Sequence, residues 1–416
     1  MPPSPRRPQA SPVQDLATAP RGDAWIAATL IGAWLVLIGL GFLTLRSTAV
    51  MTGGNEMSQP RALFTSINAA TLTGFQQSVA VDQMLIVGQL TLFLLMVLST
   101  YLMMTAASLA VVRIVGLPYS TPRVFAAGLV FQGIGTLLCS VMLLRPGDRD
   151  FFSSLFQAAS ALGNCGLVLG GVSTTTDRST LLVLMPLATL GGLGLPVLMD
   201  VYDRLTGARP CLSMHSRVVL GGSAVVFLVG LLGCIWLDWP ASHTQENWRT
   251  TLSSSLVASI NTRSAGLPVD AVYVFPRAMQ WFLMALMLLG AAPAGTAGGL
   301  KITTLVEILR RARRTLRGDL PGRSLGIAIV WLAAFGLLVF LALLSLLDAE
   351  PQTPADRVLF TTVSAAANVG LSHDPLSVTA ANAYALSITM FLGRLLPICV
   401  LWWMALTTRD ADVAVG

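Results

Sequence analysis

Four short stretches carry the residues from which a cation site could be built. They read Asn68-Ala69-Ala70-Thr71-Leu72-Thr73-Gly74-Phe75, Ala161-Leu162-Gly163-Asn164-Cys165-Gly166-Leu167, Asn261-Thr262-Arg263-Ser264-Ala265-Gly266-Leu267 and Ala366-Ala367-Asn368-Val369-Gly370-Leu371. Each closes a short amphipathic segment bearing Ser, Thr or Asn, and each ends in Gly followed by a large apolar residue. In that pattern the chemistry belongs to the backbone. A short helix that stops inside a membrane points the negative end of its dipole inward. Extended residues after it can turn carbonyl oxygens toward an axis, and a ring of carbonyls replaces the hydration shell of potassium. Glycine leaves space beside such an axis and takes angles other residues resist. One Gly among 37 means little; four at equivalent places give a pseudo-fourfold ring. The candidate filter is Thr71, Leu72, Thr73 and Gly74, then Asn164, Cys165 and Gly166, then Ser264, Ala265 and Gly266, then Asn368, Val369 and Gly370.

Two further features lie outside these stretches. The run Gly290-Ala291-Ala292-Pro293-Ala294-Gly295-Thr296-Ala297-Gly298-Gly299-Leu300-Lys301 interrupts an apolar segment. Proline removes a donor and glycine favours non-helical backbone, so a helix breaks here. A passive kink and a movable barrier below the filter are both consistent with the break. The barrier reading makes Gly290, Pro293, Gly295, Thr296, Gly298, Gly299 and Lys301 gate candidates. Lys301 is the only lysine in a chain whose other 25 basic residues are arginines. A compact ammonium is then selected over a planar fork, or the side chain simply reaches toward headgroups. Arg394, in Phe391-Leu392-Gly393-Arg394-Leu395-Leu396-Pro397, sits inside the last apolar run. A charge at that depth faces the bundle interior or a cavity, and the apolar residues that follow it argue against an escape to the surface. Arg263 is read as a brace behind its loop. The Arg310–Arg317 run is a positive-inside signal that also offers a partner a docking surface.

These groups need a membrane-embedded frame, and composition supplies one. The chain of 416 residues is 54% hydrophobic and 11% charged, against about 25% charged for a soluble domain. Its mean hydropathy is +0.72. A helical span takes about 20 apolar residues, and eight runs qualify: about 24–45, 84–112, 123–144, 180–199, 217–237, 278–309, 325–347 and 384–406. Between alternate runs lie the shorter segments 58–75, 151–167, 247–266 and 354–371, too short to cross and too apolar for loops. Non-helical backbone survives at membrane depth only where it lines a cavity or is buried in protein, so these read as re-entrant. The expected fold is an all-α polytopic membrane protein with four span–pore loop–span repeats around one pathway. Its parts are a disordered tail 1–23, repeats 24–113, 114–205, 206–317 and 318–408, and a C-terminal segment 409–416.

Charge sets the orientation. Arg6, Arg7 and Arg21, then Arg113 and Arg123, then Arg204, Arg209 and Arg217, then Arg310, Arg311, Arg313, Arg314, Arg317 and Arg323 share one side. Glu56, Asp82, Asp148, Asp150, Asp177, Asp238, Glu246, Asp270, Asp348, Glu350, Asp356 and Asp374 share the other. Basic connections stay cytoplasmic, so both termini are expected in the cytoplasm and the re-entrant loops enter from outside, where acids attract cations. The net charge of +6 therefore reports orientation and gives no reason to expect nucleic acid as a partner. The five cysteines form no CxxC pair, and His215, His243 and His373 are scattered with no HExxH. No transition-metal or disulfide framework is expected, no cofactor, and no enzyme active site.

With these motifs in place, the sequence resembles the Trk/Ktr/HKT superfamily of potassium transporters, in particular the bacterial TrkH/KtrB-type membrane subunit. The resemblance spans about 25–408 and rests on TLTGF, GNCGL, NTRSAGL and ANVGL, with GGLGLPVLMD at 191–200. It implies that the four loops form a filter selective for potassium as the transported ion, Gly at the first position going with potassium preference and Ser with sodium permeation. It also implies that 290–301 is a gating loop with Arg394 facing the pore nearby. Further implications are a homodimer in the bacterial inner membrane and a separate ring of cytoplasmic nucleotide-binding subunits of the RCK type. Departures are Cys165 for a usual Ala or Thr, Ser264 for Thr, and LLMVLSTYLMMT in the first repeat, which lacks an expected Gly-rich stretch. A secondary cation transporter and the potassium-binding subunit of an ATP-driven pump are the alternatives. The first would need halves of opposite topology, whereas each unit here crosses an even number of times.

Overall fold

The long apolar runs become long helices. The computed structural model describes residues 20–51, 56–76, 81–144, 150–171, 174–242, 248–269, 271–318, 323–373 and 379–407. The expectations for 1–19 and 408–416, and for Asp148, His243, Glu246, Asp270 and Asp374, lie outside the described residues. Six helices are long and apolar enough to cross a membrane: α1 (Pro20–Leu45), α3 (Ile86–Val115), α4 (Thr121–Leu143), α8 (Met214–Ser242), α12 (Arg323–Ala349) and α14 (Ala380–Thr407). Four short helices alternate with them: α2 (Gln59–Ala70), α5 (Phe151–Gly163), α9 (Trp248–Ile260) and α13 (Ala355–Ala366). Helix α9 continues into a π-helical turn, Asn261–Ala265.

Two expected spans differ from the straight helices their hydropathy suggests. The run 180–199 is not one helix. It divides into α6 (Met185–Leu193), which a π-helical turn Thr180–Leu184 precedes, and α7 (Leu195–Leu205). The two meet at a 99° bend. Gly194 sits at the corner with φ 80°, a conformation glycine takes readily, and Pro196 opens the new helix. The run 278–309 divides into α10 (Arg277–Leu288) and α11 (Ile302–Thr315) around loop 289–301. By contrast α3 is unbroken over 30 residues; the Gly-poor LLMVLSTYLMMT contains nothing to interrupt it. Residues 20–23, expected in the N-terminal tail, belong to α1, which begins at Pro20, where proline suits a helix's first turn.

The order long helix, short helix, long or broken helix therefore recurs four times. The packing is cyclic. The closing helix of each unit lies against the short helix of the next: α3 on α5, α6 on α9, α10 on α13, and α14 back on α2. The opening helices take the outside. Only 22% of the apolar window of α1 or α8 is buried, against 56% for α14. The outer face of α4 presents Leu129, Ile134, Leu137, Leu138 and Val141, suited to lipid.

The two ends of the bundle differ in chemistry. At one end the short helices begin. There Asp150 caps α5 by accepting from the Ser153 N–H, and the Ser153 hydroxyl, together with that N–H, holds its carboxyl below the ordinary carboxylate range. Asp82 accepts from the Gly170 N–H at 2.8 Å, and Arg277 pairs with Asp356 at 3.0 Å. At the other end, Arg209 meets the fully buried Asp200 at 2.7 Å, and Asp200 also accepts from the Ser213 N–H at 2.8 Å. Arg123 reaches Asp203 at 2.6 Å. Burial, together with these two carboxylates, pushes Tyr119 up to about 12. The arm α7 is thus pinned by charge to its neighbours just past the Gly194 corner.

Candidate functional site

The four short helices point their C-termini at one another, and each ends in a left-handed residue. In three of them that residue lies two before the key glycine, Leu72, Asn164 and Asn368 having φ of 57°, 54° and 49°; in the third unit it is the key glycine itself, Gly266, with φ 60°. A non-glycine residue there is uncommon, Asn being among the best tolerated. The chain then extends through the four key glycines. Their neighbours define a closed circle. A Cβ added to Gly74 would overlap the Cys165 carbonyl, one on Gly166 would meet the carbonyls of Gly266 and Ala265, one on Gly266 would overlap that of Val369, and one on Gly370 that of Thr73. Each segment therefore abuts the backbone carbonyl of the next, from the first repeat round to the first again. Thr71, Thr73, Asn164, Cys165, Ala265, Asn368 and Val369 are all buried. The Ser264 side chain lies outside the described residues; its backbone belongs to the π-helical turn.

Four asparagines hold this circle, in two patterns. In the first and third units the Asn lies inside the helix and staples its own strand. Asn68 Oδ1 accepts from the Phe75 N–H at 2.9 Å, and Asn261 Oδ1 accepts from the Leu267 N–H at 2.7 Å. In the second and fourth units the Asn is the left-handed residue itself and reaches to other elements. Asn164 Nδ2 donates to the Ala188 carbonyl at 2.9 Å and to Thr296 Oγ1 at 2.6 Å. Asn368 Nδ2 donates to the Met390 carbonyl and to Thr73 Oγ1, both at 2.9 Å. Alternate units thus share a device, a twofold pattern within the fourfold one. Asn164 and Asn368 enter the sequence reading only for their backbone. Yet an Asn stands in all four aligned stretches, and that recurrence is the signal for these contacts.

Loop 289–301 lies under the second and fourth segments. Its base is stitched by Gly290 N–H to Leu300 O at 2.8 Å and Ile302 N–H to Ala291 O at 3.1 Å, and Gly299 turns the chain with φ 70°. Its body is tied to α6 by Ala292 N–H to Gly192 O and Thr296 N–H to Gly191 O, each 3.1 Å. Thr296 Oγ1 also lies 3.3 Å from the Leu162 carbonyl. Pro293, Gly295, Thr296, Gly298, Lys301 and Arg394 border one space of about 20 Å³, with Leu72 above it. Helix α3 contributes Thr100, Met103 and Met104 to the same wall, residues the sequence reading did not single out. Lys301 and Arg394 are both buried. Lys301 Nζ donates to the Ala297 carbonyl, so that charge is tied to the loop. Arg394 Nε and Nη2 have no partner among the described residues. Pro397, inside α14, follows one turn later and removes a donor there.

Arg263 stands apart from this space. Its Nη1 donates to the Ser223 carbonyl of α8 at 3.2 Å, behind the third segment. Along the exposed side of α11, Arg310, Arg313, Arg314 and Arg317 border one shallow depression.

The chain matches the family profile of TrkH, described as a cation transport protein, over residues 245–407. It is 26% identical over 391 residues to the Ktr system potassium uptake protein B of Bacillus subtilis (strain 168), covering 84% of this chain and 86% of that one. To the Ktr system potassium uptake protein B of Vibrio alginolyticus it is 26% identical over 318 residues, covering 70% and 68%. The fold is that of the potassium transporter TrkH from Vibrio parahaemolyticus, with a TM-score of 0.72 at 16% identity over 96% of this chain and 86% of that one. Profile, relatives and fold all fall on the superfamily that the four loop motifs resemble, and the chain is a polytopic membrane protein similar to the TrkH/KtrB type.

Proposed function

We propose that the chain is a potassium-selective uptake subunit whose filter is the circle of carbonyls around Gly74, Gly166, Gly266 and Gly370. The observation that carries this reading is the closed cyclic contact of those four glycines with neighbouring carbonyls. A ring of that kind offers an ion oxygen ligands from four directions. The relatives named as potassium uptake proteins support potassium as the cargo. The gate is loop 289–301 with Arg394, directly below. Growth rescue of a potassium-uptake-deficient bacterium at low potassium, with ion flux in proteoliposomes, tests the function. No rescue and no flux from well-folded protein would end it.

Filter and gate share one amide. Thr296→Val removes an acceptor from the buried Asn164 Nδ2, and an unmet buried donor costs about 1–3 kcal/mol. The variant is expected to raise resting potassium flux several-fold by freeing the loop from the second filter segment. Unchanged flux would mean that this bond does not hold the loop.

The basic end of the bundle is the cytoplasmic one, by the excess of arginine there, and the helix starts at Asp150 and Asp356 face outward. A cysteine at Arg314 should resist an impermeant thiol reagent in intact cells, and one beside Asp150 should react. The opposite pattern would invert the topology. The assembly is a homodimer in the bacterial inner membrane, regulated by cytoplasmic nucleotide-binding subunits of the RCK type, for which the α11 arginines form an accessible surface.

A further inference from the structure

Beyond Gly166 the second segment leaves the circle as bare backbone. Residues 165–169 belong to no helix or sheet, yet Leu167, Val168 and Leu169 are buried. A buried N–H or carbonyl needs a partner, and here side chains supply them. Gln76 Nε2 donates to the Val168 carbonyl at 3.0 Å, and the Val168 N–H donates to Gln76 Oε1 at 2.9 Å. Asp82 Oδ1 accepts from the Gly170 N–H at 2.8 Å. From α5, Gln157 Nε2 donates to the carbonyls of Leu169 and Gly171 at 3.1 and 3.3 Å. Gln157 belongs to the same repeat as this stretch; Gln76 and Asp82 belong to the first repeat.

The position of Gln76 gives its two bonds a consequence for the circle. Gln76 stands two residues after Gly74, and Val168 two after Gly166. The amide therefore crosses the seam between the first and second segments, the seam at which a Cβ on Gly74 would overlap the Cys165 carbonyl. Taking both the N–H and the carbonyl of one residue needs an acceptor and a donor side by side. A primary amide has both, whereas a carboxylate has only acceptors and an apolar chain neither. The corresponding places after Gly266 and Gly370 hold Pro268 and Ser372, which carry no amide, so this brace is particular to one seam. A ring that discriminates by size holds its oxygens at the spacing of the larger ion, and an oxygen free to move inward serves the smaller one as well. Resting on the reading of the circle as a potassium filter, we infer that Gln76 is a specificity-determining positioning residue: its amide, bonded to both backbone groups of Val168, fixes the second segment and the Cys165 carbonyl at their distance from the first, so that sodium is rejected.

Paired potassium and sodium fluxes of the full chain in proteoliposomes test this. Gln76→Met, similar in length and without an amide, should lower the potassium-to-sodium ratio about tenfold, the change that about 1.4 kcal/mol gives. Gln76→Glu keeps the length and the acceptor for the Val168 N–H but loses the donor; it should lower the ratio too, and it serves if Gln76→Met does not fold. Gln89→Met is the control. Gln89 Nε2 donates to the Met84 carbonyl at 2.9 Å, an amide bond of the same repeat made within 84–89, and its loss should leave the parent ratio. A second measurement needs no transport. A ligand of the folded state stabilises it, so potassium chloride should raise the melting temperature of the detergent-purified parent more than sodium chloride does, and Gln76→Met should narrow that difference. A well-folded parent that carries no potassium ends the function reading itself. A potassium-selective parent whose folded Gln76 variants keep its ratio overturns the inference alone. So does a Gln89→Met that shifts the ratio equally, because general loosening of the first repeat then accounts for the change.

Discussion

Replacing Arg394 with alanine is expected to raise maximal potassium flux about tenfold in proteoliposomes, the change that about 1.4 kcal/mol off a barrier produces. The figure is conservative. A unit charge 4 Å from an ion contributes about 4 kcal/mol at an effective dielectric constant of 20, and Arg394 is buried in the narrow space under the filter. Of the two cations there, Arg394 is the one with free donors. Lys301 donates to the Ala297 carbonyl of its own loop, whereas two guanidinium nitrogens of Arg394 are without partners among the described residues. Deleting Ala294–Ala297 removes Thr296 and with it the ties to Gly191 and Asn164, so it should raise flux too. Loop and arginine border the same space, so the combined variant should gain less than the sum of the two. Well-folded single variants with unchanged flux would put the barrier elsewhere. Full additivity would replace one gate with two independent restrictions.

The parts of this site that were legible in the sequence are those written in local signals. A short amphipathic segment that ends at Gly is visible at α2, α5, α9 and α13, because both its length and its terminator are local. The break at 289–301 is visible because Pro293 and the glycines are incompatible with a continuing helix. The corner at Gly194 was not visible. The run 180–199 stays apolar on both sides of it, and hydropathy carries no information about a φ of 80°. In the sequence Asp200 is only the end of a motif; its burial depends on Arg209 and Ser213 folding back beside it. The reach of Asn164 to Thr296 joins residues 132 positions apart, which no local pattern encodes. Arg263 reads as a brace in the sequence, but its partner, the Ser223 carbonyl of α8, lies 40 positions away and is set only by the packing of α8 on α9.

Gly74→Ser is expected to lower the potassium-to-sodium flux ratio about tenfold, equivalent to about 1.4 kcal/mol of lost discrimination. Two separate effects could act there. The first is conformational: Gly74 has φ 77°, and a left-handed residue with a side chain costs about 1–2 kcal/mol. The second is the close approach: the new Cβ overlaps the carbonyl of Cys165, so that oxygen must move. Because the four segments abut in a circle, a displaced Cys165 carbonyl disturbs a ligand of the second segment as well as the first. Gly207 separates the two effects. Its φ is 78°, almost that of Gly74, but nothing lies within 4 Å of an added Cβ. Gly207→Ser should therefore carry the conformational cost and leave the ion ratio unchanged. Gly370→Ser, which overlaps the Thr73 carbonyl, should reproduce the Gly74 result from the other neighbour of the first segment. Paired potassium and sodium fluxes in proteoliposomes decide it. If Gly74→Ser folds and keeps the parent ratio, Gly74 is not in the filter. If Gly207→Ser shifts the ratio equally, strain rather than carbonyl displacement is the cause, and the ring loses its part in selectivity.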